Sequence, residues 1–64
     1  MPEDLQEIRA KISSLENIRI LLEEARLHAR SMQSPEGEHI QARIRVTLRS
    51  VTREISRLRA SRAP

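Results

Sequence analysis

Arg45, Arg49, Arg53 and Arg57 stand four residues apart in the stretch RVTLRSVTREISR. On a helix this spacing stacks them along one slowly turning face, about 6 Å between neighbours and about 18 Å from first to last. A guanidinium is a planar fork of donors that takes carboxylate or phosphate oxygens in pairs. Thr52 and Ser56 lie among the four, and their hydroxyls are a second kind of phosphate donor. Ala42 and Ala60 share that side, so little bulk would keep a flat or grooved polyanion away from the helix backbone. The candidate chemistry is therefore phosphate binding by Arg45, Arg49, Thr52, Arg53, Ser56 and Arg57.

The charge distribution points the same way. Residues 1–38 carry eight acids against five bases, whereas residues 39–64 carry seven arginines against Glu54 alone. The net charge of +3 thus hides an acidic half and a basic half. The arginines could pair with the acids of the first half, with a partner's acids, or with a nucleic acid. A helix that only needed to be soluble would interleave glutamate with arginine at four-residue spacing, and this one does not.

Two elements must position these groups. Apolar residues recur at Leu5, Ile8, Ile12, Leu15, Ile18, Leu22, Ala25, Ala29 and Met32 in steps of three and four, and again at Ile40, Ile44, Leu48, Val51, Ile55 and Leu58. Both series have the helical period. Between them, Ser34-Pro35-Glu36 reads as an N-cap, a proline at the first helical position and an acid in the first turn. The expectation is a single all-α domain over residues 1–64, a two-helix antiparallel hairpin with helix one at about 3–32, the turn at about 33–36 and helix two at about 37–61. Glu3 and Asp4 would favour the start of helix one through its dipole. Ser13 and Glu16 form a capping-box pattern in mid-helix, where the apolar series also takes two consecutive three-residue steps. The simplest reading is one continuous helix whose apolar face shifts slightly; the other is a break near Ser13.

A chain of 64 residues buries only about 60% of its unfolded surface and commonly needs a disulfide, a metal or a second chain. There is no cysteine, and the only histidines, His28 and His39, have no defined carboxylate spacing for a metal site. Self-association is the remaining route, and dimerisation into a four-helix bundle is expected. Ile20 and Leu27 point away from the side that Ile18 and Leu22 share, so the segment Ile18-Arg19-Ile20-Leu21-Leu22 reads as covered on more than one side. The interface residues expected with a second copy, or with another protein, are Ile18, Ile20, Leu22, Leu27, Ile44, Leu48, Val51, Ile55 and Leu58.

A hairpin encloses no pocket that could shift a pKa, and no nucleophile and base stand at a useful spacing; no enzyme activity, catalytic residue, metal or cofactor is expected. No apolar run approaches the length of a membrane span, and the acidic opening Met1-Pro2-Glu3-Asp4 is unlike a signal peptide, so a soluble cytoplasmic chain is expected, with no membrane partner. Aromatic residues are absent, which removes the usual means of stacking single-stranded bases. A duplex recognised by its backbone needs no stacking, and RNA ranks above DNA as the partner because little beside the arginines could read a major groove.

The layout of an acidic-to-mixed first helix, a Pro/Gly turn and the Arg/Ser/Thr-rich second helix RVTLRSVTREISRL resembles nodavirus-type suppressors of RNA silencing. That resemblance implies a dimeric helical bundle that lays one face along double-stranded RNA, with Arg45, Arg49, Arg53 and Arg57 as the contacts. The stretch ARIRVTLRSVTREI is also similar to the second helix of the small two-helix protein of the large ribosomal subunit near the exit tunnel. Short bacterial hairpin co-chaperones and RNA-modulating plasmid proteins share the same architecture. The function expected is non-enzymatic binding of duplex nucleic acid by an arginine-rich face of a homodimer, with suppression of RNA silencing as its setting. The alternative is a small adaptor or co-chaperone whose apolar faces a different protein covers.

Overall fold

A computed structural model describes residues 5–62. Two helices, α1 (Leu5–Ser31) and α2 (Pro35–Arg62), pack against each other, and the described residues contain no strand. The expected start of helix one at residue 3, with Glu3 and Asp4, lies outside the described residues.

The turn follows from local chemistry. At the end of α1 the Met32 and Gln33 N–H groups donate to the carbonyls of Ala29 (3.2 Å) and Arg30 (3.3 Å), a tightened last turn. Gln33 then takes a left-handed conformation, φ 50°, which breaks the helix. Ser34 caps α2: its Oγ accepts from the Gly37 N–H at 3.1 Å, and its carbonyl accepts from the Glu38 N–H at 3.0 Å. Pro35 occupies the first helical position, where no N–H is needed, and Glu36 and Glu38 place negative charge in the first turn. The cap thus starts α2 two residues before the sequence-based boundary at 37.

α1 runs unbroken through Ser13 and Glu16, so the capping-box pattern is not used. The face it turns to α2 is a regular alternation of four- and three-residue steps: Ile8, Ile12, Leu15, Arg19, Leu22, Arg26 and Ala29, all buried or half-buried. On α2 the matching stripe is Gly37, Gln41, Ile44, Leu48, Val51, Ile55 and Leu58. Both are the seven-residue repeat of a coiled coil. Antiparallel pairing brings Gly37 against Ala29 near the turn and gathers Ile8 and Ile12 with Val51, Ile55 and Leu58 at the other end. The core gathers at the open end, where Ile8, Ile12, Val51, Ile55 and Leu58 are buried and Leu15 and Leu22 pack against them. Ile55, 2% exposed, is its centre.

Near the turn the contact between the helices has a different basis. A Cβ on Gly37 would sit 2.5 Å from the Ala29 carbonyl oxygen and 3.1 Å from Met32 Cβ. Gly37 has an ordinary helical φ, so its role is to admit the backbone of α1. This contact and the apolar end together fix the register of a rod of 47 × 16 × 15 Å.

Candidate nucleic-acid interface

The antiparallel pairing leaves two flanks along the rod, and side-chain contacts identify both. On the first, Arg59 of α2 donates to Glu16 of α1 at 3.0 Å. On the second, Lys11, Ser14 and Ile18 of α1 line an open groove with Glu54 and Arg57 of α2. Measured around α2 from Ile44 at about 100° per residue, the expected phosphate residues begin on the first flank with Thr52 and Arg45. They continue through Ser56 and Arg49 to Arg53 on the outer back of the helix, and end with Arg57 on the second flank.

All six are exposed. Their hydrogen bonding divides them. Arg57 embraces Glu54 three residues before it, with Nε at 3.2 and 3.0 Å from the two carboxylate oxygens and a terminal nitrogen at 2.8 Å. The hydrogen bond from Arg57 holds the Glu54 carboxyl below the usual carboxylate range; desolvation opposes this and the Arg57 charge reinforces it. Arg45, Arg49 and Arg53 have no side-chain hydrogen bond or ion pair among the described residues, and neither does Arg43 on the second flank. The hydroxyls divide similarly. Thr47 and Ser61 bond back to carbonyls of their own helix, at 3.1 Å to Arg43 and at 3.0 Å to Leu58. Thr52 and Ser56 make no such bond among the described residues, so their hydroxyls stay available beside the unpaired arginines.

The acids of α1 could have consumed this basic face. Within the described residues they reach it once, at Glu16–Arg59; Glu23 instead takes Arg26 of its own helix at 3.0 Å. Sequence reasoning overlooked two features here. Glu54–Arg57 was signalled by its three-residue spacing, and Arg43 by the absence of an acid three or four residues away.

The expected interface residues fall into two groups. Val51, Ile55 and Leu58 are buried and Leu22, Ile44 and Leu48 half-buried, all within the α1–α2 seam, so α1 or α2 already covers them. Ile18, Ile20 and Leu27 are exposed. Ile18, read as facing the seam with Leu22, is 43% exposed because the regular repeat continues from Leu15 to Arg19. Arg19 and Arg26 consequently occupy seam positions. Both are half-buried, Arg26 bonds Glu23, and no buried polar side-chain atom among the described residues lacks a partner. Ile20 and Leu27 lie on the first flank, and Val46 is exposed among the arginines.

His28 and His39 are both exposed, and no group of three metal-ligating side chains occurs among the described residues. No described helix is long and apolar enough to cross a membrane. Compared with protein-family models, with curated proteins and with solved structures, the chain matches none.

Proposed function

We propose that this chain is a non-enzymatic binder of duplex nucleic acid, RNA in preference to DNA, working as a pair of hairpins. The observation that carries the reading is the set of unpaired donors on one exposed side of α2: Arg45, Arg49 and Arg53 with the Thr52 and Ser56 hydroxyls between them. Three guanidinium groups over about 12 Å of helix axis can each take a phosphate, and the small residues between them allow close approach. Arg57 is the reserve of this face, since Glu54 neutralises it until a phosphate competes.

Preference for RNA rests on two features. The chain has no aromatic side chain to stack an unpaired base, and its free hydroxyls suit the 2′-hydroxyls that line the shallow minor groove of an A-form duplex. Shelter of duplex RNA from silencing, which the resemblance to nodavirus-type suppressors implies, would use this same face.

The test is a titration of the purified chain against an RNA duplex of about 20 base pairs, the matching DNA duplex and one single strand. Binding in the order RNA duplex, DNA duplex, single strand is expected. Equal affinity for all three would remove the preference, and no binding to any near physiological salt would remove the function. The exposed apolar side chains Ile18, Leu21 and Ile40 favour a second reading, an adaptor or co-chaperone covered by a different protein. A stable homodimer of the isolated chain would exclude it.

A further inference from the structure

The second flank carries an apolar stripe that the hairpin leaves open. Ser14, Ile18, Leu21, Ala25, His28 and Met32 follow one another in four- and three-residue steps, all within about 80° of arc on α1. Every one is exposed, Leu21 by 63% and Met32 by 52%. Ile40 of α2, 42% exposed, borders the stripe near the turn. The repeat is the same as that of the seam stripe, displaced by one residue. Two adjacent seven-residue stripes on one helix are the pattern of a bundle with more than two helices.

We infer that this stripe is the homodimer interface, with α1 packed antiparallel against α1 of a second copy about a two-fold axis at Leu21. Three observations select a second copy as the occupant. The first is area. A compact monomer of 7.4 kDa is expected to expose about 4200 Å², whereas this chain exposes 5236 Å². The excess, about 1000 Å² spread over the whole rod, leaves room for the roughly 800 Å² that each partner contributes to a standard interface.

The second is self-complementarity. A two-fold at Leu21 sets Leu21 against its own counterpart, Ile18 against Ala25 of the second copy, and Ser14 against His28 of the second copy. Large side chains then meet small ones on both sides of the axis, which lets the two copies interdigitate. The third is charge. From Ser14 to Met32 the stripe has no acid, lysine or arginine, while Arg45, Arg49 and Arg53 lie on the first flank and outer back of α2. Pairing through the second flank leaves Arg45, Arg49 and Arg53 of both copies outward, while Lys11, Arg43 and Arg57, which lie on that flank, border the stripe without entering it.

This inference needs no nucleic acid, and its test uses none. Sedimentation equilibrium of the full chain from about 1 to 100 μM should show a reversible dimer. Leu21→Glu should weaken it at least a hundredfold, because the change falls twice at the axis. Leu27→Glu, equally exposed on the first flank, should leave it unchanged. Helicity of both variants at high concentration checks that neither loses the hairpin. The chain has no cysteine, so Leu21→Cys should cross-link to itself under oxidation while Leu27→Cys should not. A monomer throughout this range, a dimer that survives Leu21→Glu, or a dimer lost in Leu27→Glu would each overturn the assignment.

Discussion

Replacing Gly37 by alanine tests the packing on which the register depends, because two effects of opposite sign meet at that residue. In an exposed helix interior the change stabilises by about 1 kcal/mol, since alanine loses less backbone entropy. Here the new Cβ would lie 2.5 Å from the Ala29 carbonyl oxygen, a backbone atom that cannot rotate aside, and 3.1 Å from Met32 Cβ. Ordinary contact begins near 3.4 Å, so α1 and α2 must separate by close to an ångström at the turn end. Overpacking of this kind costs about 1–3 kcal/mol, which outweighs the gain in helix propensity. Gly37→Ala should therefore destabilise by up to about 2 kcal/mol net, a fall in Tm of roughly 4–8 °C per kcal/mol for a domain of this size. Thermal unfolding followed by circular dichroism, at one fixed protein concentration, measures it. Ser50→Ala is the control: Ser50 is exposed on α2, and its replacement should raise Tm slightly. If Gly37→Ala raised Tm as Ser50→Ala does, the close approach of the two backbones would not be what requires glycine.

Other outcomes follow from the same structure. Arg19→Leu places an apolar side chain at a half-buried seam position and should stabilise by about 1–2 kcal/mol, read from the urea midpoint; destabilisation would show that the arginine stem already fills that position. Arg57→Gln removes the hydrogen bond that depresses the Glu54 carboxyl, so its titration, followed by carboxyl-carbon NMR, should move upward. Because that carboxyl is held low in the folded chain, whatever the pair contributes is present above the unfolded carboxylate pKa and fades as pH falls through the lower folded value; the stability difference between Arg57→Gln and the parent chain should shrink in that acid window, and a gap that persists below it would contradict the assignment. Glu54→Gln removes the one acid among the arginines of α2 and should tighten binding to a DNA duplex, read by anisotropy at fixed salt; unchanged or weaker binding would count against the basic face.

The parts of this fold legible in the sequence were those set by neighbours along the chain. Ser34, Pro35 and Glu36 define the start of α2 by capping, missing donor and dipole, and each acts within one turn. The α2 stripe was equally plain, because its apolar residues form one narrow face. α1 was harder. Ile18, Ile20, Leu21 and Leu22 offer apolar groups in several directions, and which of them meets α2 depends on where the helices lock together. That choice is made non-locally, by Gly37 against Ala29 and by the buried end around Ile55. The outcome places Arg19 in the seam and Ile18 outside it. At the candidate site the exposure of the arginines was readable from spacing. The division between Arg57, held by Glu54, and the unpaired Arg45, Arg49 and Arg53 depends on side-chain geometry that spacing only hints at.

The central claim, that the unpaired arginines of α2 clamp duplex phosphates, is tested most directly by the salt dependence of binding in the parent chain and in the Arg49→Ala/Arg53→Ala variant. Affinity for a fluorescent DNA duplex, measured by anisotropy between about 50 and 200 mM salt, reports the number of phosphates neutralised through a slope of about −0.9 per contact. The account predicts that the variant binds more weakly and that its slope is shallower by about 1.8 per hairpin. An unchanged slope, whatever the change in affinity, would show that Arg49 and Arg53 do not engage phosphate and would contradict the account.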